Sequence, residues 1–138
     1  MRILGIDYGD ARIGLALSDE SETIASPLAT YQAQSMRKSI DYIASLAKDR
    51  GVERIVVGLP INMDGSLGER ASKTKAFGEN LARVSGIEVC YKDERLTTVA
   101  AERTLIECSV RREKRKEVID TVSAQIILQS YLDAQKRT

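Results

Sequence analysis

The side chains best suited to chemistry in this sequence are carboxylates, at Asp7, at Asp93-Glu94 and at Asp120. Asp7 closes an apolar run within Gly5-Ile6-Asp7-Tyr8-Gly9, where the glycines let another group, or a phosphate, approach closely. A carboxylate near the middle of a sheet is expensive to bury unless a cation or hydrogen bonds compensate it. An Asx-type turn into Gly9 is the competing structural reading. Asp93-Glu94, with Arg95, stands where a strand gives way to a helix. These residues read either as a solvated loop with a helix cap, or as a metal ligand beside a phosphate-contacting arginine. Asp120 stacks with Ala124, Ile127 and Tyr131 on a helix and borders its apolar face, unlike Glu113 and Glu117. That position suits a helix N-terminal cap, a half-exposed neighbour of the core, or a carboxylate turned towards a metal held by Asp7.

Singly these signals are weak, and jointly they are stronger. Mg²⁺ prefers oxygen ligands and keeps several waters, so a few carboxylates plus substrate phosphates make its usual site. Two such ions, roughly 3.5–4 Å apart, activate water and stabilise the leaving oxygen in phosphodiester cleavage. The chain has no histidine. Ser-His-Asp and Cys-His catalysis, H-E-x-x-H chemistry and imidazole bases are thereby excluded, whereas a carboxylate–metal site is not. Residues 111–117 carry five basic side chains, Arg111, Arg112, Lys114, Arg115 and Lys116. They form either a solvated loop between helices or a salt-sensitive nucleic-acid contact. Gly9-x-x-x-x-Gly14 begins like a P-loop, but Leu15 and Ala16 stand where Lys and Ser or Thr are required.

The elements that must position these residues follow from hydrophobic period. Arg2–Tyr8 and Ile13–Ser18 read as a hairpin, its turn at Gly9 free to take a positive φ. Thr23–Tyr31 reads as a third strand, which Pro27 places near an edge. Ile40, Ile43, Ala44 and Ala47 mark one face of a helix that Gly51 ends. Glu53–Gly58 reads as a central parallel strand buried on both faces. Ser66-x-x-Glu69 has capping-box spacing and opens a helix with Ala71, Thr74, Phe77, Leu81 and Val84 inward, closed by Gly86. Ile87–Tyr91 is a further buried strand. A helix capped by Thr97 or Thr98 runs to about Cys108. A last helix, marked by Val118, Val122, Ile126 and Ile127, ends near Ala134. The order β-β-β-α-β-α-β-α-α gives an α/β fold, a mixed five-stranded sheet with helices on both faces. The first strand is central, and sites lie at the ends of such parallel strands.

Length and composition bound the class. The 138 residues suit one domain spanning 1–138, with 43% hydrophobic and 30% charged residues and a net charge of +1. No run reaches the ~18 apolar residues of a membrane span, and Asp7 comes too early for a signal peptide, so no membrane partner and a cytoplasmic site are expected. Cys90 and Cys108 stand apart, without a C-x-x-C pair, and read as two small thiols rather than a zinc site.

At these same residues the sequence resembles the YqgF or RuvX family, nucleases related to Holliday-junction resolvases. The resemblance spans essentially the whole chain. It rests on Gly5-Ile6-Asp7-Tyr8-Gly9 with Arg12-Ile13-Gly14, and on Val57-Gly58-Leu59-Pro60 through Asn62-Met63-Asp64-Gly65. Asp93-Glu94-Arg95-Leu96-Thr97-Thr98, Lys116 to Asp120, and Ser123-Ala124 complete it. It implies an RNase H-like fold and a metal-dependent nuclease processing the 5′ end of pre-16S rRNA in ribosome biogenesis. It further implies catalytic and metal-binding residues Asp7, Glu94 and Asp120, with Asp93 in reserve, and Mg²⁺ or Mn²⁺ as cofactor. Arg12, Asn62 and Arg95 become candidates for substrate contact, beside the basic run. Relatives often carry a fourth acid three residues after the helix aspartate; here that position is Ser123, leaving three carboxylates. A homodimer is compatible with a resolvase-like enzyme, although no seam identifies itself.

Three other readings compete. One is a Holliday-junction DNA endonuclease. Another is a non-catalytic RNA-binding assembly factor whose acids are structural. The third is a nucleotide-phosphate binder, since the Asp-x-Gly hairpin resembles the phosphate loop of actin-like ATPases; those bind nucleotide between two domains, and 138 residues hold one.

Overall fold

The computed structural model describes residues 1–94 and 112–136, with side chains described for 1–94 and 121–136. Eight elements follow in order: β1 (Arg2–Tyr8), β2 (Arg12–Ser18), β3 (Ala25–Gln32), α1 (Met36–Asp49), β4 (Val52–Leu59), α2 (Glu69–Ser85), β5 (Glu88–Asp93) and α3 (Arg112–Lys136). The helix expected from Thr97 or Thr98 to Cys108 lies outside the described residues. The strands form one mixed sheet in the order β3-β2-β1-β4-β5. β1 pairs antiparallel with β2 and parallel with β4, and β5 joins β4 in parallel. The central place of β1 and the edge place of Pro27-bearing β3 agree with the sequence.

Two apolar layers sandwich the sheet. On one face Leu4, Ile6, Leu15, Ile55 and Val57 meet Ile40 and Ile43 of α1 and Phe77 and Leu81 of α2. On the other, Ile3, Ala16, Ala25 and Val56 meet Ala124, Ile127, Leu128 and Leu132 of α3. Alternate residues of each strand therefore serve different helices, as the period of two demands. The ~100° stripe of a helix explains why α1 buries Ile40, Ile43 and Ala47 while Tyr42 stays outside.

Several local expectations fail for physical reasons. Gly9 is not in the left-handed region; a Cβ there would stand 2.7 Å from the Arg12 carbonyl oxygen, so close approach is what requires glycine. No capping box forms at Ser66, and Gly68 is the N-cap of α2 without a side-chain bond. Ser66 is engaged instead with Asp64, whose Oδ1 accepts from its backbone N–H at 2.9 Å and its hydroxyl at 2.6 Å. Val84 is exposed, and Gly78 takes an inward place because the Tyr91 ring lies against it. β5 is half-buried rather than buried, since its partner among the described strands is β4 alone. The last helix spans Arg112–Lys136, so it takes in most of the basic run expected to precede it; Ile127 is buried as expected, with Ala124, Leu128 and Leu132, while Val122 and Ile126 are only half-buried. Cys90 is a half-buried free thiol. Among the described residues no helix is long and apolar enough to cross a membrane.

Candidate active site

Asp7 is the penultimate residue of β1 and is buried, 7% exposed. Its neighbour Tyr8 points to the opposite face and stacks on Phe77 at 4.3 Å, fixing which way the strand end is turned. Burial raises the Tyr8 pKa, with Asp10 adding to the shift and Lys73 opposing it. Asp7 consequently lies on the α3 face, in line with Ile3 and Gly5.

Glycines surround it. Gly14 on β2 is its cross-strand partner, Gly5 lies two residues back, and continuing the β1–β4 register by one step reaches Gly58. The missing side chains at Gly5 and Gly58 are used. A Cβ on Gly5 would meet Leu128 Cβ at 2.6 Å and the Ala124 carbonyl oxygen at 3.1 Å. One on Gly58 would meet Ile127 Cδ1 and would stand 3.0 Å from Glu94 Oε1. The Glu94 carboxylate therefore lies over Gly58, on the face that Asp7 occupies. Asp93 pairs with Leu59 in the opposite phase of the pleat, towards α1 and α2. The two adjacent acids thus part company, and it is Glu94 that shares a face with Asp7.

The backbone of α3 brings Asp120 to the same end. The helix runs from that end of the sheet towards Ile3 and Ala25, which pack with Leu132. Ala124 sits over Gly5. One turn back from Ala124 is about 6 Å along the helix, and two residues forward from Gly5 is about 6.6 Å along the strand, so Asp120 and Asp7 stand at one level. Ser123, three residues after Asp120, is buried. Further along, Gln129 accepts from Ala25 N–H at 2.9 Å and donates to the Thr23 carbonyl oxygen at 2.9 Å, and Arg54 donates to the Tyr131 hydroxyl at 2.9 Å. These bonds fix the register of the helix on the sheet.

Arg12 shares the face of Gly14 and Ala16 by alternation and is half-buried at the same end. Asn62 is exposed in the loop after β4, where its Nδ2 donates to Ser66 Oγ at 3.0 Å. Arg95 and Arg111 lie outside the described residues, as do the side chains of Arg112, Lys114, Arg115, Lys116 and Asp120. Among the described residues no three Asp, Glu or Cys side chains form a group able to hold an ion; Asp7 and Glu94 supply two hard oxygen donors, over a sheet surface kept bare by glycine. Sequence reasoning gave Gly58 no role of its own, although it ends an apolar run and stands within the Val57-Gly58-Leu59-Pro60 motif.

Sheet order, helices on both faces and an acid at the end of the central strand define an RNase H-like fold. T. thermophilus RuvC in complex with a Holliday junction substrate superposes with a TM-score of 0.63 at 14% identity, covering 100% of this chain and 97% of that one. The fowlpox virus Holliday junction resolvase gives 0.58 at 12% identity, with coverage of 98% and 99%. The chain belongs to the RuvX family, described as Holliday junction resolvase, whose model matches residues 1–134. A relative in Caldanaerobacter subterraneus subsp. tengcongensis, provisionally named pre-16S rRNA nuclease, is 50% identical over 100% of both chains. One of the same name in Thermoanaerobacter pseudethanolicus is 48% identical over 99% of both.

Proposed function

We propose that this chain is a metal-dependent nuclease that hydrolyses phosphodiester bonds in precursor 16S rRNA, with Asp7, Glu94 and Asp120 as its ligand set. The observation that carries the reading is the pairing of buried Asp7 with a Glu94 carboxylate laid over Gly58 on the same sheet face. Family membership supports a nuclease, and the names of relatives support precursor rRNA as its substrate.

The donor set fits a hard divalent ion such as Mg²⁺ or Mn²⁺, because carboxylate oxygens are the ligands such ions prefer. When bound, such an ion supplies charge neutralisation at the phosphate and activation of water. The chain's own residues do the rest. The sheet fixes Asp7, and Tyr8 stacked on Phe77 stops it turning. Gly58 leaves the space in which Glu94 lies. Arg12 adds positive charge at the rim, and the basic first turns of α3 extend past the sheet end to take the nucleic-acid backbone without regard to sequence. A cytoplasmic setting accords with a precursor-rRNA substrate.

The test is a panel of single-stranded RNA, precursor rRNA and a four-way DNA junction, each incubated with Mg²⁺, Mn²⁺ or EDTA. Metal-dependent cleavage of the rRNA precursor is expected. Cleavage of the junction alone would make the chain a resolvase, and RNA binding without cleavage would make it an assembly factor.

A further inference from the structure

The loop between β4 and α2 presents a large apolar side chain to water on a stiffened frame. Met63 is 89% exposed and Leu67 48%. Single exposed hydrophobic residues are ordinary, so exposure alone says little. The frame is what gives it meaning. Asn62 N–H donates to the Ser66 carbonyl oxygen at 3.0 Å, and Gly65 N–H to that of Asn62 at 2.8 Å, with Gly65 at φ 89°. Asp64 and the Asn62 amide tie down the Ser66 hydroxyl as well. Met63 is therefore held at the tip of a closed turn rather than on a loose segment.

Its place matters equally. The loop leaves β4, the strand between β1, which carries Asp7, and β5, which leads into Glu94. Met63 is five residues beyond Gly58, within about 18 Å even if the chain were fully extended. Among the described residues, the other exposed large hydrophobic side chains, Ile24, Met36, Tyr42 and Val84, lie outside this loop. Aromatic platforms for bases are scarce in this chain, which has one Phe, five Tyr and no Trp, and Phe77 is fully buried under Tyr8. Methionine is unbranched and polarisable, fits aromatic faces, and is among the residues that wedge between bases.

We propose that Met63, held at the tip of the 60–68 loop at the end of the sheet that carries Asp7 and Glu94, is a substrate-positioning residue that seats against an unstacked base next to the scissile phosphate. The inference rests on the nuclease reading above and names the part of the substrate that the loop would grip. Single-stranded RNA suits it, because its bases can be splayed out and stacked on protein side chains.

The experiment places 2-aminopurine at successive positions of a single-stranded precursor-rRNA fragment and follows its emission on binding in EDTA, and cleavage in Mg²⁺. Wild-type protein is expected to raise emission at one position beside the cut. Met63→Ala should abolish that rise and raise KM roughly fivefold or more, with kcat less affected and Tm unchanged. Met63→Leu should restore both. An equal rise and equal cleavage kinetics in Met63→Ala would overturn the proposal. So would a change in sedimentation with RNA behaviour intact, which would assign the loop to a second copy of this chain. A Met63-dependent emission change without any cleavage would uphold the wedge while sinking the nuclease reading.

Discussion

At the scale of single residues, the site depends on which of two adjacent acids faces Asp7. Sequence alone left Asp93 and Glu94 open, because adjacent residues of a strand end differ only in the phase of the pleat. That phase is set by pairing with β4, where Asp93 falls opposite Leu59 and Glu94 reaches over Gly58. Calorimetric titration with Mn²⁺ should therefore show a loss of binding of tenfold or more in Glu94→Gln and little change in Asp93→Asn. The reverse pattern would give the ligand role to Asp93. The place of Asp7 near the end of the central strand was legible, since it closes an apolar run between glycines. The Ser66 capping box was not, because spacing cannot show that Asp64 competes for the same hydroxyl.

At the scale of elements, the site depends on how closely α3 lies on the sheet. Gly5 and Gly58 set that distance, and neither can take a methyl group without moving something. At Gly5 the obstacles are the Cβ of Leu128 and the Ala124 carbonyl oxygen, which belong to the helix backbone or sit next to it. At Gly58 they are the ends of the Ile127 and Glu94 side chains. Gly5→Ala should accordingly cost about 1–3 kcal/mol in chemical denaturation, with cleavage lost as Asp120 is pushed away. Gly58→Ala should cost less in stability and as much in activity. Equal stability losses would mean that the helix, rather than side-chain ends, absorbs both. The order of elements was readable from changes in hydrophobic period. The inward face of α3 was legible in part: Ala124 and Ile127 are buried as the sequence indicated, whereas Val122 and Ile126 are only half-buried because the close approach at Gly5 selects small Ala124 and the Leu128 row.

At the scale of the molecule, charge is distributed rather than abundant. The net charge is +1, with the basic run placed at the start of α3. The helix rises ~1.5 Å per residue, so Arg112 stands about 18 Å along the axis from Ala124, beyond the end of the sheet that carries Asp7. The proposed contact with nucleic acid is therefore this first stretch of α3. Replacing Lys114, Arg115 and Lys116 by alanine should weaken RNA binding alike for all sequences. It should also lower the slope of log K against log salt by about 0.7 for each single-strand phosphate that the protein ceases to neutralise. An unchanged slope would place the phosphate track elsewhere. The sequence showed the run but read it as a stretch ahead of the helix, because a dense cluster of cations looks like a solvated loop until the helix beneath it is seen.

On the proposed function, the buried charge of Asp7 serves a bound cation and not the fold. Cleavage of precursor rRNA in Mg²⁺ by Asp7→Asn protein tests it most directly, with the melting temperature recorded on the same sample. Substitution by an isosteric neutral side chain should abolish cleavage and leave Tm unchanged or raised, since like-charge repulsion from Glu94 is relieved. Cleavage that survives the substitution, or a fall in Tm that accounts for its loss, would contradict the claim and make Asp7 a structural residue.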